Sequence, residues 1–281
     1  MRVLVLDGDT RAALAIVRSL GRHGVDVAVA SEDQPCLAGC SRWSSTVLTY
    51  PCPRTHPLWF LNWLVFTLNS SPETMLYTCS DVTTSIVGRY RAKLPSSTRV
   101  LLPPHASLEI ALDKAKTIDL ARKLGVPTPA SVSVAKSDIE RLRCLPFGFP
   151  VALKTSQSDR PHRFVTRYAR SLNELQSSLS EVLADGDTVL VQEVVTGEGT
   201  AIFALFDAGG PVVTFAHRRI HEKPPSGGVS TLCQSIEPPE DMLEHSLRLL
   251  RELGWCGVAM VEFKRSASGT PVLMEINPRY W

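Results

Sequence analysis

The chain opens with an apolar run over Val3 to Leu6 behind Arg2, an amphipathic stretch over 10–23 with Ala13, Ile16, Val17 and Leu20 on one side, and a second stretch over 25–30 that is apolar except at Asp26. A short continuous apolar run suits a strand buried on both faces, and apolar residues three and four apart suit a helix, so the pattern predicts a β-α-β opening. Behind Pro57 come Trp59, Phe60, Leu61, Trp63, Leu64, Val65 and Phe66. These predict a core helix rather than a binding surface, because apolar residues at helical spacing mean burial. Further strands are predicted over 75–79 and 100–102, and Pro103-Pro104 marks a boundary between units of 1–103 and 104–281. In the second unit Leu112-Asp113-Lys114-Ala115-Lys116 opens a helix that runs to Leu124 and is ended by Gly125 and the extended Val126-Pro127-Thr128-Pro129. Residues 147–154 form an apolar strand closed by Lys154, and 188–195 form another. The latter runs into Thr196-Gly197-Glu198-Gly199, and 201–206 is expected to return as its partner, so that the glycine turn acts as a hinge between lobes.

Near the end, residues 258–263 and 271–279 read as two strands around a turn. If that turn centres on Ser268-Gly269, a pair suited to a tight hairpin, equal counting outward sets Glu262 opposite Glu275. Like charges across a strand pair destabilise it unless a hard divalent cation lies between them, with Mg²⁺ the natural candidate and Mn²⁺ a substitute. Asn277, two residues past Glu275, shares its strand face and adds an oxygen ligand, and Arg279 adds a fixed positive charge. From spacing alone two readings stay open, a phosphate and metal site or an ordinary hairpin with solvated acids. Lys154 is similarly open: at the end of a buried strand it either reaches a phosphate or snorkels to water.

Composition narrows the class. With 281 residues, 44% of them hydrophobic, the chain can bury a sizeable core, and its length suggests about two domains. Its 30 basic and 28 acidic residues are mixed along the chain, which leaves no electrostatic footprint for nucleic acid. The opening apolar run stops at Asp7-Gly8-Asp9 and no later segment reaches membrane-spanning length, so a cytoplasmic protein with no membrane partner is expected. Seven cysteines at irregular spacing fit reduced thiols, and the spacing of Cys36, Cys40, Cys52 and His56 matches no common zinc pattern. The first turn, Asp7-Gly8-Asp9-Thr10, lacks the glycine triplet that admits a pyrophosphate, so a Rossmann-type fold is expected without a nicotinamide cofactor.

Taken in order, Asp113-Lys114 at a helix start, Gly125-Val126-Pro127-Thr128-Pro129, Pro150-Val151-Ala152-Leu153-Lys154, Gln192-Glu193-Val194-Val195-Thr196-Gly197-Glu198, Gly227-Gly228-Val229-Ser230-Thr231, and Glu262 with Glu275-Ile276-Asn277-Pro278-Arg279 resemble the ATP-grasp superfamily. The resemblance covers nearly the whole chain and is best to the carboxylate-amine ligase and carbamoyl-phosphate-synthase-like branch. It implies an α/β chain with a Rossmann-like N-terminal domain, followed by a two-lobed α+β ATP-grasp domain that binds Mg-ATP between its lobes. It also implies that Lys114 and Lys154 contact ATP phosphates, that the hinge of Gln192, Glu193, Val194 and Val195 holds the adenine, and that Glu198 holds the ribose. Glu262, Glu275 and Asn277 match the metal ligands. Arg279, with Lys154, matches the groups that act on the phosphoryl group in transfer, a reaction that depends on positioning and neutralisation.

The sequence departs from the family in two places. The segment Ser156-Gln157-Ser158-Asp159-Arg160-Pro161-His162-Arg163, where relatives carry a glycine-rich flap over the phosphates, has no glycine. Arg160, His162 or Arg163 would have to replace its backbone contacts. The basic stretch from Arg218-Arg219 to Gly227-Gly228 falls where the family approaches substrate, and the chain ends at Trp281, two residues past the metal motif, whereas relatives continue. The expected activity is an ATP-dependent ligase that activates a small carboxylate as an acyl phosphate for attack by an amine. The alternatives are carboxyphosphate chemistry on the same fold and a nucleotide-binding protein without catalysis.

Overall fold

A computed structural model describes residues 2–71, 74–156, 166–183, 188–223 and 228–281. The chain starts with β1 (Arg2–Val5), α1 (Arg11–Arg22), β2 (Asp26–Ser31), β3 (Thr46–Thr49), α2 (Pro57–Asn69), β4 (Thr74–Tyr77), α3 (Asp81–Arg89) and β5 (Arg99–Val100). The strands make a parallel sheet in the order β3-β2-β1-β4-β5. Val3, Val5, Val27 and Val29 pack with Ala12, Ala13 and Val17 of α1 on one face, while Leu4, Leu6, Ala28 and Ala30 pack with Phe60, Leu64 and Ile86 of α2 and α3 on the other. Burial on both faces is why β1 and β2 read as continuous apolar runs. Thr10 caps α1 by accepting the Ala13 N–H at 3.1 Å, which fixes the turn after β1.

Next come α4 (His105–Ala111), α5 (Lys114–Lys123), β6 (Ser131–Ala135), β7 (Val151–Thr155), β8 (Arg167–Ala169), α6 (Leu172–Val182) and β9 (Thr188–Glu193). The four strands form an antiparallel sheet in the order β6-β9-β7-β8, and α6 covers one face through Leu175 and Leu179 against Val151, Leu153, Val189 and Val191. The opposite face carries Ser131, Lys154 and Gln192, as strand alternation requires of residues paired or diagonal across β6, β9 and β7.

The chain then runs through β10 (Glu198–Asp207), β11 (Gly210–Lys223), β12 (Val229–Ile236), α7 (Glu240–Glu252), β13 (Gly257–Arg265) and β14 (Pro271–Asn277). These strands give an antiparallel sheet ordered β12-β11-β10-β13-β14, with α7 and α5 on one face over Ile202, Val261, Phe263, Leu273 and Ile276. The expectation that 201–206 returns as the partner of 188–195 is therefore corrected: β9 pairs with β6 and β7, and β10 pairs with β11 and β13 in the other sheet. Gly197 makes the crossing with φ at 140°, and a Cβ there would lie 1.8 Å from the Arg265 carbonyl oxygen, so only glycine passes.

The terminal hairpin reaches its register by a different route from the one the sequence suggests. Next to the turn Arg265 faces Pro271 and Phe263 faces Leu273, and a bulge in β14 then brings Glu262 opposite Glu275 and Met260 opposite Asn277. The turn is longer than a two-residue loop: Ser266 N–H bonds the Thr270 carbonyl, and Gly269 takes φ of 83°. Leu273 and Ile276 both enter the core beneath α7 although they are three positions apart, which needs the extra residue of the bulge. Arg265 pins the turn, donating to both Asp241 oxygens at 2.9 and 3.0 Å and to the Gly269 carbonyl at 2.7 Å.

Candidate functional site

The helix-free faces of the two antiparallel sheets meet around the N-terminus of α5. Asp113 caps that helix, its Oδ1 accepting from Ala115 N at 2.9 Å, Lys116 N at 3.2 Å and Ser156 Oγ at 2.8 Å. Lys114 N–H also bonds the Ser156 carbonyl at 2.9 Å, so the start of α5 is tied to the end of β7. The tie sets the lysines of the two elements side by side. Lys114 Nζ lies 2.7 Å from Glu275 Oε2, and Lys154 Nζ donates to Gln192 Oε1 at 2.7 Å. Gln192, 1% exposed, in turn donates to Ser131 Oγ at 3.1 Å. It is a buried support for Lys154.

From the other sheet Glu262 and Glu275 face each other on β13 and β14. Arg219 of β11 reaches over β10 to place Nη2 2.5 Å from Glu262 Oε2 while Nη1 lies 3.2 Å from Glu222 Oε1. It crosses above Gly199 and Ala201; a Cβ at Gly199 would meet Arg219 Cδ at 3.0 Å. Asn277 Nδ2 donates to Glu275 Oε1 at 3.2 Å and its Oδ1 accepts from Arg279 Nη2 at 3.5 Å. Arg279 Nε donates to Asp81 Oδ1 at 2.7 Å, a contact that joins the end of the hairpin to the first turn of α3. Tyr280 packs on Tyr77 with ring centroids 5.2 Å apart, beside that link.

The charges are strongly coupled. The Lys114 ammonium holds the Glu275 carboxyl well below the usual carboxylate range, with burial opposing it. Burial, then the charge of Glu275, pushes Glu262 up to about 7, and Arg219 offsets only part of that. Burial lowers Lys154 to about 8, with Glu275 acting to raise it and Lys114 and Lys264 adding to the depression.

Among the described residues no three His, Cys, Asp or Glu side chains gather to hold a metal. Two facing carboxylates with an adjacent amide oxygen nevertheless fit Mg²⁺, which is commonly held by one or two carboxylates together with substrate phosphates rather than by an all-protein cage.

The structure thus brings together Lys114, Lys154, Gln192, Glu262, Glu275, Asn277 and Arg279. The hinge is adjacent: β9 ends at Glu193, whose Oε1 accepts from Ala130 N at 2.9 Å, and Val194 and Val195 follow the strand with the Val195 carbonyl accepting from Lys264 Nζ at 3.3 Å. The Glu193 N–H in turn bonds the Ala130 carbonyl at 2.9 Å, so this residue is tied to the chain before β6 through both its backbone and its side chain. The structure does not bring Glu198 to this face. It alternates with Thr200 and Ile202 toward the α7 side, half exposed and 3.7 Å from Arg218. Of the glycine-free flap only Ser156 is described; residues 157–163 lie outside the described residues, as does Gly227.

Two residues escaped the sequence reading. Arg219 was visible only as part of a basic stretch, although Phe215, His217 and Arg219 alternate along a strand in a way that assigns them one face. Asp81 follows Ser80, whose hydroxyl accepts the Thr83 N–H at 3.2 Å, so Ser80-Asp81 was readable as a helix start but not as a partner for Arg279.

Comparison with known proteins bears on the fold. No protein-family profile matches the sequence. The N5-carboxyaminoimidazole ribonucleotide synthase of Synechococcus elongatus is 31% identical over 126 residues, which span 43% of this chain and 30% of that enzyme. Among solved structures, the L-amino acid ligase from Bacillus licheniformis superposes with a TM-score of 0.78 at 15% identity, over 99% of this chain and 67% of that one. The N5-carboxyaminoimidazole ribonucleotide synthetase from Thermus thermophilus gives 0.71 at 20%, over 99% and 71%. The biotin carboxylase from Campylobacter jejuni gives 0.75 at 14%, over 100% and 66%. The chain has the ATP-grasp fold that these ligases share.

Proposed function

We propose that this protein is an ATP-dependent ligase that activates a small-molecule carboxylate as an acyl phosphate for attack by an amine, with an N-terminal unit over 1–103 and a nucleotide-binding unit over 104–281. The observation that carries the reading is the set of Lys114 and Lys154 converging on the paired carboxylates Glu262 and Glu275, 2.7 Å separating Lys114 Nζ from Glu275. Such an arrangement costs stability, since like charges oppose one another across β13 and β14 and burial depresses Lys154. It is explained by a ligand that carries both signs of charge. A polyphosphate with a divalent cation does so.

Glu262, Glu275 and Asn277 would hold Mg²⁺, which would supply charge neutralisation between the terminal phosphates. Lys154, kept in place by Gln192, would bind phosphate oxygens from the β7 side, and Lys114 from the α5 side. Arg279 would stabilise negative charge on the transferring group, its guanidinium oriented by Asp81 and Asn277. Val194 and Val195, between β9 and the crossing at Gly197, would present backbone groups to adenine. A cytoplasmic setting fits the seven cysteines, all of them free. Among the described residues no helix is long and apolar enough to cross a membrane.

A second reading keeps the site and changes the acid: bicarbonate activated as carboxyphosphate, favoured by the 31% identity to N5-carboxyaminoimidazole ribonucleotide synthase. The test is ADP release with Mg-ATP over a panel of amino acids, dipeptides and bicarbonate, with hydroxylamine added to trap acyl phosphate as hydroxamate. Hydroxamate formed in parallel with ADP supports the ligase, and bicarbonate-dependent ADP release supports the second reading. Mg-ATP binding with neither product leaves a nucleotide-binding protein without turnover.

A further inference from the structure

Arg219 lies outside every role assigned above, yet it is among the most enclosed charges of the site. Its side chain is 17% exposed, between Glu222 at 16% and Glu262 at 14%. Its two terminal nitrogens have different partners. Nη2 is committed to Glu262 at 2.5 Å, whereas Nη1 bonds Glu222 at 3.2 Å and the Gly228 carbonyl at 3.3 Å. A divalent cation that takes Glu262 as a ligand competes for the oxygen that Nη2 now holds. It does not compete for Glu222 or for Gly228. Arg219 therefore keeps one anchor when the other is taken, and its aliphatic stem stays seated on Gly199, where an added Cβ would come within 3.0 Å of Cδ, so the guanidinium turns about that seat over β10. Its freed edge then faces the anion that accompanies the cation.

We infer that Arg219 is a further cationic contact for the nucleotide's terminal phosphates beside Lys114, Lys154 and Arg279, paired with Glu262 until a divalent cation claims that carboxylate and tethered throughout by Glu222. Lys114 on Glu275 makes the parallel exchange on the neighbouring strand. Each carboxylate trades a protein cation for the metal, and each displaced cation moves to phosphate. Each carboxylate keeps a positive charge beside it at every stage, as a buried carboxylate requires. This rests on the nucleotide-binding reading above.

Two titrations on each protein test it: Mn²⁺ alone, followed by the electron paramagnetic resonance signal of free Mn²⁺, and Mg-ATP by calorimetry. Arg219→Gln removes the competitor from Glu262, so Mn²⁺ alone should bind several-fold tighter than to the parent. The same variant loses a charged hydrogen bond to phosphate, so Mg-ATP should bind about tenfold more weakly. Opposite signs are the signature, because a merely structural arginine would weaken both. Should Arg219→Gln fail to fold, Glu222→Gln decides: it leaves the pair with Glu262 but removes the tether, so Mn²⁺ alone should bind as in the parent and Mg-ATP several-fold more weakly. Mg-ATP affinity equal to the parent's, or Mn²⁺ bound no better by Arg219→Gln, overturns the inference. A parent protein that binds no Mg-ATP overturns the nucleotide reading itself.

Discussion

Replacing Lys154 by methionine should stabilise the protein and at the same time weaken nucleotide binding. Burial brings this lysine from its ordinary 10.5 to about 8. Each pH unit of that displacement corresponds to about 1.4 kcal/mol, so keeping the ammonium charged at pH 7 costs about 3 kcal/mol, part of it screened by the side chain's remaining contact with water. Methionine removes the charge at similar volume but forfeits the 2.7 Å bond to Gln192 Oε1. Losing that bond leaves the buried Gln192 oxygen without its donor at a cost of roughly 1–3 kcal/mol, so the variant should be up to about 2 kcal/mol more stable at pH 7. The pH profile gives a second, independent sign. Below pH 8 folded and unfolded chains both hold the proton and the cost is fully present; between about 8 and 10.5 the folded protein releases it first, so the parent should gain stability as pH rises. Urea unfolding of parent and variant from pH 7 to 10 measures the difference, in which the other titrating groups cancel. Calorimetry with Mg-ATP should show a loss of about tenfold or more, as expected for one charged phosphate contact. A variant less stable than its parent at pH 7, with parallel pH profiles, would refute the claim that Lys154 is a desolvated charge kept for a ligand.

Two further substitutions separate metal from phosphate and binding from turnover. Glu275→Gln should weaken Mg-ATP binding far more than binding of ATP without metal, and equal losses in calorimetry would remove the metal-ligand role. Asp81→Asn should leave Mg-ATP affinity within about twofold while reducing hydroxamate formation about tenfold or more, since it takes the charged partner from Arg279 and an unpaired, partly buried cation reorients; an equal drop in both would make Asp81 a general structural support.

What was legible in the sequence follows the range over which each signal acts. The β-α-β opening, the helix start at Asp113-Lys114 and the facing of Glu262 and Glu275 all rest on signals within short segments, and such signals survive into the structure because one face of each element must be buried. Even there the agreement had a hidden part. The turn closes one residue earlier than equal counting assumes, and the bulge in β14 restores the offset because Leu273 and Ile276 must both reach the core beneath α7. The partner of β10 was not legible. A strand, a glycine turn and a strand look like a hairpin, and nothing local reveals that Gly197 carries the chain from one sheet to the other.

The charged partners of the site were hidden for a related reason. Arg219 and Glu262 share a face only because β10 lies between β11 and β13, with Ala201 opposite both His217 and Glu262. Asp81 and Arg279 are 198 residues apart, one in the first turn of α3 and the other just past β14. Of the residues that the sequence pointed to, Glu262, Glu275 and Asn277 are fixed within one hairpin and Lys114 at one helix start, where a local pattern is enough to show them. The residues it missed reach the site from another strand, β11, and from α3, so they feel any movement of those elements relative to the hairpin. Arg279 illustrates the consequence. The same guanidinium that faces Asn277 in the hairpin is bound to α3 through Asp81, so the orientation of the group proposed to act on the phosphoryl in transfer depends on how the N-terminal sheet packs against the hairpin. A shift of that packing would alter turnover before it altered the hold on the nucleotide, because Lys114 and Lys154 take their positions from α5 and β7 instead.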